Sequence, residues 1–327
     1  MISTVHSTPP RAIVILDFDD TLTRGSTTAA YYRSNFTFDG QPLQEGVVIH
    51  SIQKPLTDRG MLRGDALQEA ILQVNNMFRK GPDQRGRYIG EGTPCLPFSR
   101  LACLGMPCDV DYAPGAKDFI QRIKQYGEQN GVQVYACILS SNARTFLELT
   151  SPGQQADGIY SSDYAFNDRG EVIGFIGDWM SPERKAEITQ ELQRKHPSPN
   201  SESSSFAHFV GMDDGDTGRE FLELIKKGGG IAMGISTPGA DQPHLADMFQ
   251  RGQINVQAVN DFRPGSSIWE ICTKHVDGIA SLSKRMCNPP PPRLVKTNGG
   301  SSTPTCTTRY LPSNGRRPSH SCRARRG

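Results

Sequence analysis

A chain of 327 residues with 36% hydrophobic residues and eight cysteines is too long and too cysteine-poor for a disulfide-stapled mini-protein. It is long enough for one large α/β domain or two smaller ones, although a mean hydropathy of −0.49 implies that the apolar residues concentrate in part of the sequence. The net charge of +2 conceals a split, because residues 278–327 hold ten basic residues and no acidic one, which leaves 26 basic against 34 acidic residues, a net of −8, in residues 1–277.

The first eleven residues lack the apolar core of a signal sequence and no run approaches a membrane span, so a cytoplasmic location with reduced thiols is the expectation. Ala12 to Leu16 then reads as a short buried strand that stops abruptly at Asp17-Phe18-Asp19-Asp20-Thr21. The interval from Arg24 to about Tyr112 interrupts any regular alternation. It is too long for a loop, it carries an amphipathic helical pattern at Gly64 to Arg79, and it reads as a mostly helical second unit standing over the sheet. Pro114 to Gln129 has helical spacing, and Val132 to Leu139 is a second apolar strand, ending in Ser140-Ser141-Asn142. Between Asp157 and Phe175, Asn167-Asp168-Arg169-Gly170 predicts a hairpin.

Pro182 to Lys195 is helical in pattern, Phe206 to Met212 is a third strand that runs into Asp213-Asp214-Gly215-Asp216, and Arg219 to Lys227 is a further helix. Weaker strands at Gly230 to Ile235 and Val256 to Val259 precede a helix from Ser267 to Ser283. Strands alternating with helices predict a mainly parallel sheet covered on both faces. Beyond it, the basic segment with Pro289 to Pro292 and repeated Gly, Ser and Thr reads as a solvated, disordered tail with few aromatic residues to stack on bases, so nucleic acid and membrane are not expected partners.

In a parallel sheet, ligands bind beyond the carboxyl ends of the strands. Here those ends gather carboxylates from two strands and hydroxyls from a third, and such a crowd of oxygens without paired His or Cys suits a hard cation such as Mg²⁺. A carboxylate beside that ion can attack phosphorus, and a second can hand a proton to the leaving alcohol. The pattern from Ala12 to Thr23, an apolar strand followed by DxDxT, resembles the first motif of the haloacid dehalogenase superfamily. Three further motifs follow in order: a strand ending in Ser140, Lys185 near a helix start, and Phe209 to Asp214.

The resemblance implies a Rossmann-like three-layer sandwich with the first strand between those of the second and fourth motifs, and a helical cap inserted after motif one, as in phosphoserine-phosphatase-like members. It implies Asp17 as nucleophile, Asp19 as general acid/base, Ser140 bonding the phosphoryl oxygens and Lys185 offsetting negative charge. Thr21, Ser141 and Asn142 would lie beside the substrate. Mg²⁺ would be held by Asp17, Asp213, Asp214 and the carbonyl of Asp19, with Asp216 an alternative to Asp214 and Ser141 to Ser140. The match covers about Arg11 to Lys284, dividing the chain into a core at 11–23 and 113–284, a cap at 24–112 and a tail at 285–327. The implied activity is a Mg²⁺-dependent phosphatase acting on a small phosphorylated metabolite through an aspartyl-phosphate. A phosphotransferase using the same groups, and a non-enzymatic protein binding through its tail, are the alternatives; dehalogenation is not expected, because Asp19 is present.

Overall fold

The computed structural model describes residues 9–38, 40–43, 71–76, 78, 96–177, 180–197, 206–239 and 242–287. Strand β1 (Arg11–Leu16) is followed by helix α1 (Thr27–Asn35), a two-stranded ribbon β2 (Thr37–Phe38) and β3 (Gln41–Pro42), and α2 (Arg100–Gly105). Next come α3 (Ala116–Gln129), β4 (Gln133–Leu139), two short helices α4 (Arg144–Leu147) and α5 (Ser151–Gln155), and β5 (Gly158–Tyr160). A hairpin of β6 (Asp163–Phe166) and β7 (Val172–Ile176) leads to α6 (Pro182–Lys195) and β8 (Phe209–Asp213). The chain continues through α7 (Arg219–Lys227), β9 (Ile231–Ser236), α8 (Pro243–Gln250), β10 (Val256–Val259) and α9 (Ser267–Cys287).

Six strands form one parallel sheet in the order β10-β9-β8-β1-β4-β5. Because successive side chains of a strand point to opposite faces, β1 divides its five buried residues between two cores. Ala12, Val14 and Leu16 join Phe119, Ile120 and Ile123 of α3 and Ile268, Cys272 and Val276 of α9. Ile13 and Ile15 join Ile188 and Leu192 of α6, Phe221, Leu222 and Ile225 of α7, and Leu245 and Met248 of α8. Full burial on both faces is the reason β1 reads as a continuous apolar run rather than an alternation; each such side chain contributes roughly 1.5–3 kcal/mol. With β4 on one side of β1 and β8 on the other, connections diverge at β1, and the crevice of a doubly wound sheet falls at its carboxyl end.

Several expectations need correction. The segment beginning at Asp157 is not all hairpin: Gly158–Tyr160 is the edge strand of the main sheet, and the hairpin starts at Asp163, turning at the expected residues 167–170. The third strand starts at Phe209 rather than Phe206, after a turn closed by Phe209 N–H to the Phe206 carbonyl at 2.7 Å. Helix α9 runs to Cys287, past the expected core boundary at Lys284. Helices α1, α2, α4, α5 and α8 were not individually anticipated. Of the expected helix at Gly64 to Arg79, residues 71–76 are helical and most of the remainder lies outside the described residues, as does the tail.

The long interval leaves and rejoins the core through adjacent segments. Thr23 and Tyr112 form an isolated antiparallel bridge, Arg24 N–H donates to the Asp111 carbonyl at 2.7 Å, and Ala113 N–H donates to the Leu22 carbonyl at 3.0 Å. The β6–β7 hairpin meets the same unit from the other direction: Ser99 bridges Glu171, Arg100 N–H donates to the Gly170 carbonyl at 3.0 Å, and Phe98 packs edge-on against Tyr164. Among the described residues no helix is long and apolar enough to cross a membrane.

Candidate active site

The register of β1 against β8 pairs Leu16 with Met212, and the next residue, Asp17, donates its N–H to the Met212 carbonyl at 2.9 Å. That single extra rung brings Asp17 alongside Asp213, although they are far apart in sequence. Between them lies Lys185, from the first turn and a half of α6. The helix start is fixed by Pro182 at its first position and by Ser181, whose Oγ accepts from Arg184 N–H at 3.2 Å. Lys185 Nζ donates to Asp213 Oδ2 at 2.8 Å and to Asp17 Oδ1 at 3.2 Å, with Thr217 Oγ1 at 3.5 Å.

Lys185 and Asp213 are fully buried and Asp17 is 7% exposed, so these charges interact in a medium that screens them little. Burial alone would lower the pKa of the Lys185 ammonium, but the carboxylates of Asp17 and Asp213 outweigh it and hold the pKa above the ordinary lysine range. Burial raises Asp17 to about 7; Lys185 opposes that shift, and Asp213 and Asp19 add to it. Asp214, half-buried and close to Asp213, Asp17 and Asp20, is raised further, to about 9, chiefly by desolvation.

Asp213 is also held from the turn that follows it. Gly215 N–H donates to its Oδ1 at 2.8 Å, and Gly218 packs so tightly on its side chain that a Cβ there would collide with the carboxylate carbon. The Asp214 carbonyl lies 2.6 Å from His244 Nε2, at the start of α8. Asp216 opens a short 3-10 turn, Asp216–Gly218. Oxygen atoms of Asp17, Asp213 and Asp214 lie within 4.8 Å of one another. Three carboxylates facing one ammonium are short of positive charge, which adds to desolvation in raising Asp17 and Asp214, and an all-oxygen donor set fits a hard divalent cation.

Asp19 faces the insertion. Its Oδ1 accepts from Thr27 Oγ1 at 2.6 Å and from Thr27 N–H at 3.1 Å. Burial nonetheless raises its pKa to about 6, against the opposing effect of these bonds and of a side-chain hydrogen bond from Asn142. Asp20 sits at φ +54°, the left-handed region that Asp tolerates better than most residues. Its carbonyl is bonded by Thr237 Oγ1 at 3.3 Å and Asn260 Nδ2 at 3.5 Å, which fixes the turn between Asp17 and the insertion.

At the end of β4, Ser140 is buried, its Oγ accepting from Asn142 N–H at 3.3 Å, whereas Ser141 is exposed. Asn142 turns its amide to Thr27 and Thr28. Thr21 is wholly buried, with no hydrogen-bond partner for its hydroxyl among the described residues. The structure thus brings Asp17, Asp213, Asp214 and Lys185 together, with Asp19 nearby; it closes Thr21 off from solvent and engages Asn142 with α1. Thr27, Thr217, Gly218 and His244 were not anticipated from the sequence. Only Thr27 carries a local signal, as the first residue after the Ser26 cap of α1.

Among solved structures, an unliganded probable phosphoserine phosphatase from Vibrio cholerae superposes with a TM-score of 0.50 at 12% identity, over 84% of this chain and 68% of that one. The chain shares the fold of that structure. A haloacid dehalogenase family hydrolase from Salmonella enterica serovar Typhi gives 0.49 at 14% identity, over 76% and 67% of the two chains. A phosphoserine phosphatase holding an analogue of its phospho-aspartyl intermediate gives 0.48 at 13%, over 81% and 99%. No protein-family model and no curated protein matches the sequence. In this fold the strand order places β1 between β4 and β8, as the family resemblance implies.

Proposed function

We propose that the protein is a Mg²⁺-dependent phosphatase that hydrolyses a small phosphomonoester through an aspartyl-phosphate. The observation that carries this reading is the buried Lys185 bridging Asp17 and Asp213 at the ends of two adjacent parallel strands. Asp17 is the nucleophile, and its carboxylate oxygen forms the bond to phosphorus. Asp19 protonates the departing alcohol and then takes a proton from the attacking water; its pKa of about 6 suits both directions near neutral pH. Ser140 donates to a phosphoryl oxygen, and Lys185 keeps Asp17 oriented while offsetting charge. Asp17, Asp213, Asp214 and the carbonyl of Asp19 are the groups that would hold Mg²⁺, which when bound neutralises phosphate and carboxylate charge.

The unit spanning 24–112 is the cap of this reading, with its linkers paired at Thr23 and Tyr112, and it limits the substrate to something small. The test is turnover of p-nitrophenyl phosphate with and without Mg²⁺. Asp17→Asn is expected to abolish turnover at least about a thousandfold, as removal of a nucleophile does. Undiminished activity in that variant, or full activity in EDTA, refutes the assignment.

A further inference from the structure

Four side chains form a one-way chain of hydrogen bonds that ends on Asp19. Thr28 Oγ1 donates to Asn142 Oδ1 at 3.0 Å, Asn142 Nδ2 donates to Thr27 Oγ1 at 3.4 Å, and Thr27 Oγ1 donates to Asp19 Oδ1 at 2.6 Å. The Thr27 N–H adds a second bond to the same oxygen at 3.1 Å. The direction follows from the groups themselves. An ionised carboxylate only accepts, so the Thr27 hydroxyl gives its one proton to Asp19 and offers a lone pair to the Asn142 amide; the Asn142 carbonyl oxygen is then the acceptor for Thr28. Thr27 and Thr28 open α1, the first helix of the insertion, and Asn142 belongs to the loop after β4.

An oxygen that already faces two donors is a poor place for a proton, which leaves Oδ2 as the favourable one. Building on the phosphatase reading above, we propose that Thr27, aligned by Asn142, is a positioning residue that pins Oδ1 of Asp19 and reserves Oδ2 for the proton given to the leaving group. In that half-reaction a bond forms between an Asp17 oxygen and phosphorus, and the bond from phosphorus to the ester oxygen breaks. The ester oxygen leaves with the electron pair and takes the proton from Asp19 Oδ2. Asn142, expected beside the substrate, acts here on Asp19 instead, both by aligning Thr27 and by its own side-chain hydrogen bond to the carboxylate.

Proton donation is read from kcat/KM across substituted phenyl phosphates, because p-nitrophenolate departs readily without a proton and phenolate does not. Thr27→Val removes the hydroxyl while keeping the backbone N–H and the side-chain shape. It is expected to lose about tenfold more on phenyl phosphate than on p-nitrophenyl phosphate. Thr27→Ser restores the parent's dependence on leaving group, and Asn142→Ala steepens it in the same direction as Thr27→Val. A parallel loss across the series, an unchanged slope in Thr27→Val, or a slope in Thr27→Ser as steep as in Thr27→Val overturns the proposal. If Thr27→Val lacks the parent's near-ultraviolet circular dichroism, Thr27→Ser and Asn142→Ala decide it by the same criteria. Turnover by the parent and its loss in Asp17→Asn test the phosphatase reading, so the two ideas fail separately.

Discussion

Asp214 concentrates the electrostatic strain of the site. Its pKa of about 9 in the fold lies above the model-compound value of 3.8, so between about pH 4 and pH 9 the folded chain binds more protons than the unfolded one. Stability of the metal-free protein therefore falls as pH rises through that window, and Asp17, raised to about 7, adds to the fall. Asp214→Asn cannot ionise, so it is expected to melt about 3 °C above the parent at pH 8, the shift that roughly 1 kcal/mol produces in a domain of this size. The advantage should vanish near pH 4. Equal melting temperatures at both pH values, measured by calorimetry in EDTA, would contradict this account of the charge cluster.

Residues differ in how openly they announced themselves. Asp17 was legible because a β-branched run stops dead at a carboxylate, and Asp213 because a second run does the same. Lys185 was legible only through motif order: Glu183, Arg184, Lys185 and Glu187 look like an ordinary charged helix face, and nothing local says that one of the four is buried between two acids. Thr27 was not read as part of the site, since its bond to Asp19 depends on a chain reversal at Asp20 that alternation and helical spacing do not encode.

At the scale of elements, the turn after β8 decides how Asp213 is presented. Gly218 has an ordinary right-handed conformation, so the residue is needed there for space and not for backbone freedom. Gly218→Ala should displace the Asp213 carboxylate and weaken Mg²⁺ binding about tenfold to a hundredfold, as measured by titration calorimetry, with the far-ultraviolet spectrum retained. Unaltered Mg²⁺ affinity would mean that the turn yields instead of the carboxylate. Long elements with clear periodicity were read correctly, α6 and α7 to the residue. The three-residue strand β5 was absorbed into the hairpin because so short a segment shows no alternation, and α1 was missed because its buried face consists of Thr27, Tyr31 and Tyr32, which gives a weak apolar stripe.

For the whole molecule, among the described residues, every strand of the main sheet, the helices covering it and the carboxylate cluster lie within residues 11–287. Removing residues 289–327 is expected to leave the melting temperature within about 2 °C and Mg²⁺-dependent turnover intact; truncation after Lys284 instead cuts into the last turn of α9. Insoluble or inactive protein ending at residue 288 would show that the basic segment takes part in the fold or the chemistry.

The contact between the β6–β7 hairpin and residues 98–100 bears on how the proposed cap could move. Two neighbouring linkers would act as a simple door hinge, but Phe98, Ser99 and Arg100 also grip the hairpin through a ring contact, a bridge and a backbone bond. If residues 24–112 turn as the proposed cap, they would either tear that grip or drag the hairpin along as a lever, and the lever's far end leads into α6, the helix that carries Lys185.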